Sequence, residues 1–169
     1  MDFNQKLEKN KKKIIDLWFE AVIRTYPEET ARILVKSKNR FDNPVGCATM
    51  QSVEDTFNLL TEKNDFTKET DMDRLESALD PVVRIRAVQS MFSAQKAVGF
   101  VFTLKKIVKE ETGTWNESFD SKVDQTALAA FNRFMKCRED IFLIRANESK
   151  KRVHHAFERA GLVRELKER

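Results

Sequence analysis

Apolar residues recur along most of this chain at spacings of three and four, which is the periodicity of an amphipathic α-helix. The first such segment runs from about Phe3 to Arg24 and ends at a break that contains Pro27. Its apolar stripe consists of Leu7, Ile14, Ile15, Trp18, Phe19, Val22 and Ile23. The pattern therefore predicts a long first helix that buries one face.

Capping residues mark where the next two helices begin. Thr25 is placed to cap a short helix, with Pro27 at an early helical position and Glu28 completing a capping box. Asn43 is a good N-cap for the third helix, and Pro44 suits its first position. We expect the short helix to carry Ala31, Ile33, Leu34 and Val35. We expect the third helix to reach about Glu62 and to turn inward Val53, Phe57 and Leu60.

A polar loop over residues 63–71 precedes a fourth helical pattern, from Met72 to Ser90. Pro81 cannot donate a backbone hydrogen bond, so it predicts a kink or a fresh helix start capped by Asp80. Residues 83–87 alternate apolar and basic, which alone favours a strand. We predict a helix there, because no other segment offers a partner strand and a single strand leaves its backbone groups unpaired.

The next pattern is capped by Ser93 and runs from Ala94 to about Glu111. Gly99 lies in its middle, where glycine costs about 1 kcal/mol relative to alanine, and a close helix–helix contact would explain that cost. Its apolar residues cover more than one face, so we expect this helix to be central and mostly buried. These residues are Ala97, Val98, Phe100, Val101, Phe102, Leu104, Ile107 and Val108.

The last segment follows a turn at residues 113–116 and is long enough for either a bundle helix or a dimer-forming coil. A heptad-like seam steps through Phe119, Val123, Ala127, Ala130, Phe134, Cys137, Ile141 and Ile144. A second stripe consists of Leu128, Phe131, Met135 and Phe142. Gly161 is expected to end the helix.

The composition agrees with a single all-α domain over residues 1–169. Hydrophobic residues make up 41% and charged residues 34%, which is the balance of a globular protein, and 4 Gly and 3 Pro supply few of the turns that an all-β fold needs. The net charge of +4 is a mild excess without a dense basic cluster. We therefore expect no binding to nucleic acid.

The chain shows no apolar run long enough to span a membrane and no signal-peptide core, so we expect a cytoplasmic protein. Cys47 and Cys137 lie beside apolar residues, which favours buried thiols over a disulfide. His154 and His155 are adjacent and point about 100° apart on a helix, so they cannot share a metal ion. We expect no metal, no haem or other cofactor, and no catalytic residues.

Three polar residues stand out in an otherwise apolar stretch, namely Arg84, Arg86 and Gln89. The two arginines point about 200° apart on a helix, so one is expected to face solvent. The other is expected either to form a buried ion pair or to bind an anionic ligand. Both alternatives remain open from the residues alone.

Three segments together resemble the N-terminal domains of RsbR-type stress-signalling proteins, specifically the RsbRD-like branch. The first runs from Trp18-Phe19 through Tyr26-Pro27-Glu28-Glu29-Thr30, and the second is Arg40-Phe41-Asp42-Asn43-Pro44-Val45-Gly46. The third runs from Val83-Arg84-Ile85-Arg86-Ala87-Val88-Gln89 into Ser93-Ala94-Gln95-Lys96-Ala97-Val98-Gly99-Phe100. Phe92 stands where the family often has proline. The likeness covers roughly residues 7–150.

The resemblance implies a helical domain similar to a globin that lacks haem. Domains of this family receive signals and pair up, and a STAS domain follows them. No STAS domain follows in these 169 residues, so assembly into a stressosome is not part of the expectation.

We therefore predict a non-enzymatic sensory or regulatory domain of stress or redox signalling that forms a homodimer and responds to a small-molecule ligand or a partner protein. Polar residues at the starts of buried helices are placed to meet a ligand in an apolar cavity. The expected ligand-binding residues are Arg40, Asn43, Arg84, Arg86, Gln89 and Gln95. The alternative is a scaffold module that docks a protein partner through its C-terminal helix.

Overall fold

A computed structural model describes residues 2–36 and 39–161, and these ranges contain seven α-helices and no strand. The all-α prediction is therefore confirmed. The helices are α1 (Phe3–Ile23), α2 (Glu28–Lys36), α3 (Pro44–Thr61), α4 (Glu69–Ala87), α5 (Ala94–Val98), α6 (Phe100–Thr112) and α7 (Glu117–Arg159). Within the described ranges, no helix combines the length and the apolar character that crossing a bilayer requires.

Two helices, α3 and α5, begin where the predicted capping residues place them. The side chain of Asn43 accepts a hydrogen bond from the backbone N–H of Gly46, and Ser93 accepts one from the N–H of Lys96. Asn116 caps α7 in the same way. Gly161, at φ +69°, follows the end of α7 as expected. Short polar side chains thus satisfy N–H groups that a helix start leaves unpaired.

The core forms where α1 packs on α3 and α6, and where α4 packs on α3 and α7. Every residue of the stripe predicted for α1 is buried, as are Val53, Phe57 and Leu60 of α3. Six of the eight apolar residues predicted after Ser93 are buried, whereas Ile107 is half-buried and Phe102 is exposed. Residues 103, 106, 109 and 110 are exposed as well, so this segment buries one face and is not mostly buried as expected. Hydrophobic periodicity therefore identified the inward faces of α1 and α3.

The short helix α2 carries the four predicted apolar residues, but it does not begin at the predicted cap. Thr25 does not cap it, because the Thr25 hydroxyl donates to the carbonyl oxygen of Val22 at 2.7 Å and accepts a hydrogen bond from Arg86. Only Leu34 is buried, whereas Ile33 and Val35 are exposed. Ile33 and Val35 are exposed because α2 packs only against α1 and α3, which cover one side of it.

Helix α4 is continuous through Pro81, so the alternative of a fresh start at Asp80 is wrong. Proline cannot donate a hydrogen bond to the carbonyl four residues earlier. Here that carbonyl belongs to Ser77, which is exposed, so a water molecule can donate to it instead. Asp80 instead forms ion pairs with Arg84 and with Arg133 of α7. The helix begins at Glu69 rather than Met72 and ends at Ala87 rather than Ser90.

The predicted helix from Ala94 to Glu111 is two helices, because α5 ends at Val98 and α6 begins at Phe100. The expected contact of Gly99 with another helix is also wrong. A Cβ atom at Gly99 would lie 2.7 Å from the carbonyl oxygen of Gln95, within the preceding turn. Immediately after this break, the carbonyl of Phe100 accepts a hydrogen bond from Nε1 of Trp18 at 2.9 Å.

We expect Gly99→Ala to lower the free energy of unfolding by about 1–3 kcal/mol, because the new methyl group would collide with the Gln95 carbonyl. At an open position the same change would stabilise the protein by about 0.4–1 kcal/mol. Urea denaturation followed by circular dichroism measures the difference. Gln95→Ala is the control, since it keeps the carbonyl and removes only an exposed side chain. A stabilised Gly99→Ala variant would contradict the steric explanation.

Candidate functional site

The six residues predicted to bind a ligand lie in separate places. Arg40 and Asn43 precede α3 and line one cavity. Arg84 and Arg86 lie in the last turn of α4, Gln89 follows it, and Gln95 is in α5. The structure therefore brings Arg40 and Asn43 together, and none of the other four lines that cavity.

Arg86 is fully buried, and its guanidinium donates to backbone oxygens. Its Nη1 atom donates to the carbonyl of Ala97 at 2.9 Å and to that of Lys96 at 3.4 Å. Its Nη2 atom donates to the carbonyl of Val22 at 2.9 Å and to the hydroxyl of Thr25 at 2.8 Å. These carbonyls belong to the last turns of α1 and α5, where a helix leaves its carbonyls without intrahelical donors. The Val22 carbonyl also accepts from the Thr25 hydroxyl and backbone N–H, whereas the Ala97 carbonyl accepts from Arg86.

Three aromatic rings enclose the same guanidinium. Its Cζ atom lies 4.8 Å from the ring centroid of Phe100, 4.9 Å from that of Phe92 and 5.4 Å from that of Tyr26. Ring faces attract a cation more strongly away from water. Burial lowers the pKa of the Arg86 guanidinium, and the nearby Tyr26 phenol offsets part of that effect. Because an arginine stays protonated in proteins, this is a buried cation held by carbonyl dipoles and ring faces.

One of the two arginines is buried, as predicted, but the expected ion pair is wrong. No carboxylate of residues 2–36 or 39–161 lies within ion-pair distance of Arg86. Backbone carbonyls replace the carboxylate because two helix ends converge on the guanidinium. The Nε atom of Arg86 and the Tyr26 hydroxyl are buried without a hydrogen-bond partner in the described part of the chain.

The remaining predicted residues of this corner face outward. Arg84 is exposed and pairs with Asp80 at 2.9 Å. Gln89 is half-buried and Gln95 is exposed. Arg84 is therefore the arginine that faces solvent, and the ligand roles of these residues stay predictions.

We expect Arg86→Met to lower the free energy of unfolding by about 3 kcal/mol or more, because it leaves buried carbonyls without donors. Arg84→Met is the matched control, since an exposed ion pair contributes at most about 1 kcal/mol. Urea denaturation at neutral pH compares the two variants with the wild type. Equal stabilities of the two variants would show that the buried hydrogen bonds do not hold the helices together.

The cavity beside Arg40 has a volume of about 450 Å³ and lies between α1, α2 and the start of α3. Three of its apolar walls, Phe19, Leu34 and Val35, come from α1 and α2, and Met50 comes from α3. Polar groups border it as well, and the full lining is Phe19, Leu34, Val35, Arg40, Asn43, Gly46, Cys47, Met50 and Gln51. It is a mostly apolar space with one charged residue.

Asn43 joins the two helices that form this cavity. Its Nδ2 atom donates to the carbonyl of Leu34 at 2.6 Å, and its Oδ1 atom accepts from the N–H of Gly46 at 2.9 Å. Gly46 lies so close to α2 that an added Cβ atom would be 2.3 Å from the Leu34 carbonyl oxygen. The buried amide therefore holds the end of α2 against the start of α3 and fixes the shape of the cavity.

We expect Asn43→Asp to lower the free energy of unfolding by about 1–3 kcal/mol more than the control Asp42→Asn does. The aspartate keeps the acceptor for Gly46 but places a buried negative charge against the Leu34 carbonyl, where the amide donated. Asp42 is exposed and adjacent, so its variant controls for local charge change. Thermal and urea denaturation measure the stability of both variants. An Asn43→Asp variant as stable as the wild type would show that the amide donor does not contribute.

Sequence reasoning did not connect the apolar walls with Arg40 and Asn43. Phe19 was correctly assigned to an inward face, but periodicity alone does not show that a gap lies beside it. Cys47 and Met50 lie three residues apart on α3, one turn after the Asn43 cap. That spacing could have placed both sulfur atoms on one side of the Asn43 corner. Cys137, the other predicted buried thiol, is buried in α7, whereas Cys47 is half-buried.

Helix α7 carries a second candidate site, the outer stripe, which we define as Leu128, Phe131, Met135, Phe142, Val153 and Phe157. All six are exposed. At about 100° per residue they lie opposite the buried residues Val123, Ala130 and Phe134. No residue of α7 after Cys137 is buried, so the helix continues beyond the core.

The heptad-like seam of α7 is therefore mostly a bundle face and not a coil interface. Its residues from Phe119 to Cys137 are buried against the other helices, while Ile141 is half-buried and Ile144 is exposed. The second stripe predicted from the sequence is the one that remains uncovered. The physical reason is that α3, α4, α5 and α6 all contact a single side of α7.

Searches of protein-family models, of curated proteins and of solved structures each found no match to this chain. The likeness to RsbR-type N-terminal domains therefore stays a prediction that rests on the three segments given above. Function is argued below from the geometry of the site and the stripe.

Proposed function

We propose that this protein is a non-enzymatic regulatory domain that pairs with a second copy through the outer stripe of α7. The proposal includes a globin-like helix arrangement without haem and a role in stress or redox signalling, as the RsbR-type resemblance implies. In it, the cavity beside Arg40 receives a small ligand. The single observation that supports pairing is the uncovered apolar stripe.

The outer stripe is larger than the scattered apolar exposure of an ordinary surface. From Leu128 to Phe157 it extends roughly 44 Å along the helix at 1.5 Å per residue. Phe142, near its middle, is 69% exposed. Several large apolar residues exposed along one side of a helix are typical of interaction sites in proteins.

A second copy of the chain fits the stripe for two reasons. Leu128, Met135 and Phe142 recur at intervals of seven residues, which is the spacing by which paired helices keep one seam in contact. A two-fold pair uses the same patch on both subunits, so one stripe supplies both sides. Beyond Arg138 the described part of α7 contains no buried residue, so this half of the helix gains little stability from tertiary packing. A partner helix would stabilise it.

Sedimentation velocity of the full chain tests the pairing. We expect a dimer for the wild type, and a monomer for Phe142→Glu because two buried carboxylates would face each other across the seam. The matched control is Ile144→Glu, since Ile144 is 58% exposed on the same helix but points away from the stripe. Circular dichroism checks that both variants keep their helices.

A monomeric wild type, or a Phe142→Glu variant that stays dimeric, would reject pairing through the stripe. A monomeric wild type would favour the alternative function, a scaffold module that docks a protein partner through α7. The observation that supports this alternative is the same uncovered half of the helix. Equal loss of pairing in Ile144→Glu would show that the effect comes from added charge and not from the stripe.

A further inference from the structure

We propose that the cavity between α1, α2 and α3 binds a small aromatic carboxylate. This inference gives the chemical class of the ligand of the regulatory domain proposed above, and the biological role of the binding rests on that proposal. The binding itself depends only on the cavity. It is therefore measured independently of pairing.

The size and walls of the cavity suit a compact organic ligand. Its volume of about 450 Å³ lies within the range of about 300–1,000 Å³ that small-molecule sites occupy. Phe19, Leu34, Val35 and Met50 give it mostly apolar walls on more than one side. An apolar body would remove these walls from water, which is favourable.

The chemistry of the walls favours an aromatic body over an aliphatic one. Phe19 offers a ring that packs against another ring edge-to-face or offset. Met50 and Cys47 bring sulfur atoms to the same space, and sulfur makes favourable contacts with ring edges. An aromatic ligand would use all three groups, whereas an aliphatic chain would gain only burial.

The charge of the lining favours an acidic head group. Arg40 is the only charged residue among the nine that line the cavity. It is exposed, and within the described part of the chain no carboxylate pairs with it. A guanidinium binds a carboxylate with two parallel hydrogen bonds, so Arg40 selects a planar acid at the cavity mouth. The start of α3 beside it adds a weaker attraction for negative charge.

Such a ligand would contact α1, α2 and α3 at once. The wall between α2 and α3 is fixed by the Asn43 amide, so the cavity needs little ordering before binding. A ligand that binds only the folded state raises the unfolding temperature, and the rise grows with the logarithm of the ligand concentration once that concentration exceeds the dissociation constant. Binding and stabilisation therefore report on the same site.

Isothermal titration calorimetry of the full chain with 2-naphthylacetate tests the proposal. The neutral comparison is 2-naphthaleneethanol, and the aliphatic comparison is decanoate. We expect 2-naphthylacetate to bind at least about tenfold more tightly than the alcohol, because hydrogen bonds to charged groups are stronger than neutral ones. We also expect it to bind more tightly than decanoate.

Two variants locate the binding. Arg40→Gln is expected to remove the preference for the acid over the alcohol, and Arg152→Gln, at an exposed arginine of α7 outside the cavity, is expected to preserve it. Val35→Trp adds bulk at an exposed wall and is expected to weaken both naphthalene compounds. Circular dichroism confirms that each variant is folded.

Lack of 2-naphthylacetate binding at millimolar concentration, equal affinity for acid and alcohol, or tighter binding of decanoate would each overturn the proposal. Unchanged binding in Arg40→Gln or Val35→Trp would overturn the assignment to this cavity. A dimeric wild type that binds no ligand rejects only this inference. A monomeric wild type that binds 2-naphthylacetate through Arg40 supports this inference and rejects the pairing.

Discussion

The Arg86 guanidinium carries a positive charge into the core, and its hydrogen bonds go to backbone oxygens of two other segments. It joins the last turn of α4 to the ends of α1 and α5 through the carbonyls of Val22 and Ala97. Phe92 and Phe100 close around it. A buried charge is costly unless polar groups compensate it, and here the carbonyls and the Thr25 hydroxyl do so only when these segments meet in this arrangement. The junction of four helices is thereby set by one side chain.

From that junction α4 also determines where α7 lies. Asp80 of α4 pairs with Arg133, and Arg138 donates to the carbonyl of Ala87 at the end of α4. Beyond Arg138 the described part of α7 makes no further hydrogen bond or ion pair to another helix, and its apolar stripe stays uncovered. The same anchoring that buries one face of α7 presents the opposite face to solvent. The cavity lies elsewhere, at the contact between α2 and α3 that Asn43 forms, so the proposed pairing and the proposed ligand binding would use separate surfaces.

Local sequence signals predicted most of the helices but only part of the candidate ligand site. Asn43 and Ser93 could be recognised as caps because a cap depends on atoms a few residues apart. The buried stripe of α1 could be recognised for the same reason, since helical periodicity is also local. Thr25 was misassigned because its hydroxyl bonds Arg86, which is distant in sequence. Among the predicted site residues, only Arg40 and Asn43 line one cavity. The apolar walls were not recognised because a gap between helices has no periodicity of its own.

The sequence by itself determined an all-α chain, the starts of α3 and α5, and that Arg84 and Arg86 point to different sides of their helix. These properties follow from helical spacing, capping and the angle between neighbouring positions, all of which are local. Tertiary structure alone decided which arginine is buried and which of the two stripes of α7 meets the core. Both of these depend on partners far along the chain. Free energy favours the arrangement that satisfies buried donors and acceptors together, and no single segment contains that information.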